Sequence, residues 1–227
     1  MKAKIFCLIY HMSQFRSGGV SRYSLNQAQL APKQDIKEVV MVASYHREYM
    51  TPEAYLDWEE KQELNYEYID GEVYAMTGGT IPHGTIALNL ATALKSHLRG
   101  GSCRPFIFSV KVGVSEKGPF HYPDVMVTCD QQDSNRLKVI YHPCLIAEVL
   151  SPSTEAFDRG RKFANYRPIK TLQEYLLIDT QQITIECFRR NPQGKWELNP
   201  YTEGEEIHLT SIDFSCPISL IYENVTV

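Results

Sequence analysis

Leu145-Ile146-Ala147-Glu148-Val149-Leu150 is an apolar run interrupted by one acid. Its length suits a β-strand, and it is far too short to cross a bilayer. Inside such a strand an isolated carboxylate is expensive to bury, so Glu148 calls for a partner. Upstream, Tyr122-Pro123-Asp124-Val125-Met126-Val127 places a second acid at the opening of another β-run, directly after a proline. If the two strands are neighbours, both acids reach one ion at the same edge of a sheet. Hard divalent cations such as Mg²⁺ select carboxylate oxygens. Each acid also has an ordinary reading. Asp after Pro is common turn chemistry, and a strand Glu can face solvent on an amphipathic sheet.

Around this pair the remaining elements fall into place. Thr51-Pro52-Glu53 starts a helix that runs to about residue 61, with Thr as N-cap and Pro in the first turn. Tyr66-Glu67-Tyr68-Ile69 and Val73-Tyr74-Ala75-Met76 flank Asp70-Gly71, a hairpin signal. Pro82 opens a second helix whose stripe Ile86, Leu90, Leu94 and Leu98 recurs every fourth residue until Gly100-Gly101. Strands are expected over residues 106–114, 124–128 and 145–150. A helix over 154–167 follows, stopped by Pro168, then strands over 175–179 and 183–188. Short β-segments separated by Gly204 and Pro217 close the chain. The central order, α-β-β-β-α-β, describes an α/β fold built around one mixed central sheet flanked by helices.

The 227 residues suit one main domain, with 43% hydrophobic and 22% charged residues, as in ordinary globular proteins. Residues 46–227 are assigned to it. Residues 1–45 are expected to be a loosely structured extension, with Met41 as an alternative start. The net charge of −4 argues against a strong nonspecific nucleic-acid binder, since phosphate affinity rests on clustered Lys and Arg. Arg159, Arg161, Lys162, Arg167 and Lys170 form a local basic group that serves equally well as a solvated helix face. Six cysteines are scattered without a CxxC pair or zinc-ligand spacing. Reduced buried thiols, no disulfide, no zinc site and a cytoplasmic location are therefore expected.

The sequence resembles the Uma-two family of restriction-endonuclease-like proteins, which have the PD-(D/E)XK fold. The resemblance rests on Tyr66-Glu67-Tyr68-Ile69-Asp70-Gly71-Glu72, Pro82-His83, Pro123-Asp124-Val125 and Ala147-Glu148-Val149-Leu150-Ser151-Pro152-Ser153-Thr154. It continues through Asp158, Lys162, Tyr166, Glu174-Tyr175 and Ile178-Asp179. The resemblance implies that Asp124 and Glu148 are metal ligands and that Lys162, from the following helix, supplies the lysine missing at position 150, which is leucine. Asp158, Lys162 and Tyr166 stand four apart and share one helix face. Glu67 and His83 are accessory positions. Lys162 also fits a plain pairing with Asp158 on an exposed helix, Glu67 a cross-strand contact, and His83 a helix start.

The implied activity is Mg²⁺-dependent (or Mn²⁺-dependent) endonucleolytic hydrolysis of nucleic acid, with DNA as the expected substrate and a homodimer as one arrangement for double-strand cutting. In it Lys162 orients or helps deprotonate the attacking water and offsets the growing negative charge; deprotonation needs a depressed lysine pKa, which a neighbouring cation can supply. The alternative is a catalytically silent nuclease fold that binds nucleic acid or protein. An acid/base glycosidase pair ranks behind both.

Overall fold

The computed structural model describes residues 49–227 apart from residue 77. The extension assigned to residues 1–45, and the question of its start, therefore lie outside the described residues.

Thr51 caps α1 (Pro52–Glu59), its hydroxyl accepting from the Ala54 N–H at 3.2 Å. The hairpin follows as β1 (Tyr66–Ile69) and β2 (Glu72–Ala75), paired antiparallel from Tyr66↔Ala75 to Ile69↔Glu72. Asp70 and Gly71 both take positive φ, 50° and 88°, as the tight two-residue turn of a right-twisted hairpin requires. A Cβ on Gly71 would also lie 2.6 Å from Tyr49 Cδ1. Gly71→Ala is therefore expected to lower stability by about 1–2 kcal/mol in a denaturant melt.

α2 (Ile81–His97) is capped by Thr80 and buries Ile86, Leu90 and Leu94 completely, each contributing about 1.5–3 kcal/mol of apolar burial. Leu98, expected to continue the stripe, is the C-cap residue.

The strand expected over 106–114 is in fact two. β3 (Arg104–Ile107) ends in a turn, closed by the Val110 N–H on the Ile107 carbonyl at 3.1 Å, and β4 (Lys111–Gly113) leaves in another sheet. β5 (Phe120–His121), β6 (Val125–Thr128), β7 (Val139–Ile140) and β8 (Pro143–Val149) follow. The third helical stretch joins α3 (Glu155–Phe157), a π turn (Asp158–Lys162) and α4 (Phe163–Tyr166). It connects β8 to β9 (Glu174–Ile178), which pair in parallel from Leu145↔Glu174 to Val149↔Ile178. β10 (Thr184–Arg190), β11 (Trp196–Thr202), β12 (Glu206–Leu209), β13 (Phe214–Pro217) and α5 (Ile218–Ile221) complete the chain.

The single central sheet of the sequence reading is thus corrected to two mixed sheets and a small ribbon. One has the order β2-β1-β5-β4-β7, the other β11-β10-β9-β8-β6-β3, and β12 pairs with β13. The expected α-β-β-β-α-β order survives within the six-stranded sheet as α2, β3, β6, β8, the third helical stretch and β9. Both of its faces are covered. Leu145, Ala147 and Val149 of β8 pack toward α2 and the C-terminal segments, while Ile146 and Leu150 pack toward Phe163, Tyr166 and Tyr175. By strand alternation Glu148 lies on the second face, beneath the third helical stretch. A solvent-facing Glu148 is excluded, because it is only 2% exposed.

Cys103 and Cys129 form a disulfide, overturning the expectation of a disulfide-free chain. They are the pair next beyond Arg104↔Thr128 in the β3–β6 register, a proximity that linear spacing does not reveal. Cys187 and Cys216 are buried free thiols, as expected. Among the described residues no helix is long and apolar enough to cross a membrane.

Candidate active site

β6 and β8 run antiparallel with Val125↔Ala147 in register, which brings Asp124 and Glu148 to the same end of the six-stranded sheet. Asp124 is fixed there by two groups on Oδ2. The Val149 N–H donates at 2.7 Å and His83 Nε2 approaches to 3.2 Å from the first turn of α2. Glu148 Oε1 receives the Tyr166 hydroxyl at 3.2 Å and meets Lys162 Nζ at 2.9 Å.

Lys162 and Asp158 sit at the two ends of the π turn, a local widening that often marks functional sites. The expected shared face of Asp158, Lys162 and Tyr166 is present and turned inward, with all three buried. Lys162 does pair with Asp158, at 3.7 Å, but at 5% exposure this is no exposed-helix contact. Its ammonium also lies 3.3 Å from Glu67 Oε1. Leu150, at the position of the missing lysine, packs into the core.

Glu67 is more than a cross-strand partner. It accepts the Tyr122 N–H at 3.0 Å and meets His121 Nδ1 at 3.0 Å. Asn165 lies 3.1 Å from His121 Nε2. With the Asn165 amide donating, the ring proton sits on Nδ1 and points at Glu67. His121 and Asn165 were missed in the sequence. The signal for His121 was of the same kind as for Glu148, a polar residue inside an apolar run, Phe120-His121-Tyr122. Asn165 gave none.

One lysine thus serves three carboxylates, and their proton affinities diverge accordingly. Burial pushes Glu148 well above the ordinary carboxylate range; Lys162 opposes this, while Asp158 and Asp124 add to it. Burial likewise raises Asp158. Glu67 goes the other way. Burial alone would raise it, but Lys162, His121 and the Tyr122 N–H hold it down to about 2. Lys162 is held well above its ordinary value, because Glu148, Glu67, Tyr166 and Asp158 together outweigh its desolvation. The depressed lysine needed for a base is therefore not what these surroundings create. The carboxylates around Lys162 favour its charged form.

His83 is raised by its hydrogen bond to Asp124, against partial burial. A Cβ on Gly79 would lie 2.6 Å from His83 Nδ1, so glycine there leaves room for the ring. Gly79→Ala is expected to displace His83 from Asp124. An NMR titration should then show the His83 pKa falling toward its ordinary value, whereas an unchanged pKa would contradict the contact.

The basic group of the helix is largely used internally. Arg159 pairs with Glu155 and Glu186, and Arg161 with Asp70, which favours a self-satisfied face over a phosphate patch. Glu174, another residue of the motif set, is structural. It is fully buried and accepts from Arg189, Thr210 and Ser211. Among the described residues no group of three or more His, Cys, Asp or Glu is arranged to enclose an ion.

Residues 52–219 match the sequence model of the Uma2 (Uma-two) family, described as "Putative restriction endonuclease". The chain is 40% identical over 176 residues to the uncharacterized protein slr1290 of Synechocystis sp. (strain ATCC 27184 / PCC 6803 / Kazusa), covering 78% of this chain and 93% of that one. It is 33% identical over 151 residues to the uncharacterized protein sll1609 of the same organism, covering 66% and 85%. Its fold is similar to the crystal structure of "a putative nuclease belonging to DUF820" from Anabaena variabilis ATCC 29413. The TM-score is 0.64 at 17% identity, covering 76% of this chain and 97% of that one.

Proposed function

The chain belongs to the Uma2 family, and we propose on that premise that it is a divalent-metal-dependent endonuclease acting on DNA. In this reading Asp124 and Glu148 hold the ion and Lys162 faces the scissile phosphate. The observation that carries it is the convergence of Asp124, Glu148 and Lys162 from two strands and a π turn at one sheet end.

The donor set fits Mg²⁺ or Mn²⁺. Mg²⁺ is usually held by one or two carboxylates, with waters and substrate phosphates completing its octahedron, so two acids without a protein cage are what it needs. Three carboxylates (Glu67, Glu148 and Asp158) share the Lys162 ammonium and Asp124 stands at the same sheet end, so the acids outnumber the lysine and favour a second cation. Bound there, the ion supplies Lewis acidity and lowers the pKa of water at the site.

The chain's own residues do the rest. The Val149 N–H and His83 hold the Asp124 carboxylate in place. Glu67, fixed by His121 and Tyr122, aims Lys162 at Glu148. The charged form of Lys162, which its carboxylate neighbours favour, offsets charge growing on phosphoryl oxygens.

One observation favours the silent-module reading: the Lys162 charge is already satisfied inside the protein by three carboxylates. Thermal melting with Mg²⁺ titrated from chelator to millimolar levels separates the two. The metal-dependent reading predicts a rising Tm that Asp124→Asn abolishes, by mass action on the folded state. A Tm that ignores Mg²⁺ contradicts it.

A further inference from the structure

A groove of about 890 Å³ runs along α2 and is walled on its other side by residues 105–110. One end reaches His83 and Asp124, and Lys95 and Arg99 line it farther along α2 and just beyond. From His83 to Lys95 the helix advances about 18 Å at 1.5 Å per residue. The walls carry unusual exposure for large apolar groups: Leu88 is 63% exposed and Phe108 56%. Apolar walls, an exposed aromatic ring, a cationic stretch and one member of the carboxylate pair, Asp124, therefore share one continuous trough.

We propose that this groove holds a single, unpaired nucleic-acid strand, with bases stacked on Phe108 and against Leu88, and phosphates met by Lys95 and Arg99. The proposal rests on the nuclease reading above and names its substrate class. In a duplex the base faces are already stacked and hidden. Only an unpaired strand offers them to a protein ring, and such stacking is tolerant of sequence. The cations supply charge complementarity that the chain, at a net −4, lacks as a whole. An 18 Å run suits a strand of about three to five nucleotides. The strand's course past His83 and Asp124 brings a phosphate to the end of the sheet where the carboxylates converge.

The test is fluorescence anisotropy in chelator, which removes metal-dependent cutting. The probes are labelled oligothymidylate and oligouridylate of about twelve nucleotides and a fully paired hairpin of equal length. The protein is the full chain, and each variant is checked by its melting temperature. The expected result is single-strand binding about tenfold or more tighter than hairpin binding, with the tighter of the two single strands identifying the sugar. Phe108→Ala should weaken it about 5- to 150-fold, the range for one lost stacking partner. Lys95→Gln with Arg99→Gln should make the slope of log affinity against log salt shallower by about 1.4, at about 0.7 per phosphate contact.

Hairpin binding as tight as single-strand binding overturns the proposal, as does Phe108→Ala within about twofold of wild type. So does absent oligonucleotide binding accompanied by a concentration-dependent dimer that Phe108→Ala dissolves, which makes the groove an interface between copies. Because this assay reads binding alone, its failure is separable from that of the nuclease reading. Metal-dependent cutting of duplex at an unchanged rate in Phe108→Ala keeps that reading and removes this one. Phe108-dependent single-strand binding without any cutting does the reverse.

Discussion

Replacing Lys162 with methionine is expected to destabilise the protein by about 3–5 kcal/mol at neutral pH, the usual consequence of stripping one partner from a buried ionic cluster. For a domain of this size the melting temperature should fall by about 10 °C. The physical reason is the sharing of one ammonium among Glu148, Glu67 and Asp158 at 2.9, 3.3 and 3.7 Å. Methionine fills the volume and leaves three buried carboxylates facing one another and Asp124. The pH dependence has a definite sign. Glu148 and Asp158 already bind protons more tightly folded than unfolded. The stability they contribute is complete below the ordinary carboxylate pKa and is lost as pH rises through their raised values. Removing Lys162 raises them further, so the variant's deficit should shrink as pH falls from 7 toward 5. Glu67, held down to about 2, contributes the opposite term. Its stabilisation is present above the ordinary carboxylate pKa and is lost only as pH falls toward 2. Parallel melts of wild type and variant across pH 5 to 8 check this, and a deficit that grows toward pH 5 contradicts the account.

The second large effect concerns turnover. Asp124→Ala and Asp124→Asn are both expected to reduce metal-dependent cleavage by at least about a thousandfold. They should differ in stability. Asparagine keeps an oxygen for the Val149 N–H, whereas alanine leaves that N–H without its 2.7 Å acceptor, at a cost of about 1–3 kcal/mol. If the charge of Asp124 does the work, the asparagine protein melts near wild type and is still inactive. Lys162→Arg, which keeps the charge, should lower turnover more than metal affinity, because Lys162 acts on the phosphate side. Single-turnover cleavage at saturating metal, with metal affinity measured alongside, resolves these roles. An Asp124→Asn protein with wild-type cleavage removes Asp124 from the site.

The parts of this site legible in the sequence were those in which a residue contradicted its immediate surroundings. Glu148 inside Leu145–Leu150 and Asp124 after Pro123 could be found because charge in an apolar strand needs an explanation. Asp158, Lys162 and Tyr166 were drawn from the family resemblance, and their spacing put them on one helix face, although the π turn that carries the first two was not legible. What stayed hidden depends on register between distant segments. His121 reaches Glu67 across 54 residues of chain, and Lys111 reaches Glu59 across 52 to form a second buried ion pair, joined by the Tyr122 hydroxyl. The run 106–114 has strand propensity throughout, and only the turn at Ile107–Val110 divides it between two sheets. The Cys103–Cys129 bond follows the same rule, being set by the pairing of β3 with β6. Local pattern located the longer elements; the short strands β5 and β7, the number of sheets and the cross-strand partners belonged to tertiary structure.

The most direct test of the central claim is a cleavage assay on single- and double-stranded DNA and RNA, comparing chelator, Mg²⁺ and Mn²⁺, with Glu148→Ala run beside wild type. Cutting by the wild type only with metal, and by Glu148→Ala not at all, is the predicted result. Cutting that survives chelation, equal cutting by Glu148→Ala, or no metal-dependent cutting of any of these substrates contradicts it.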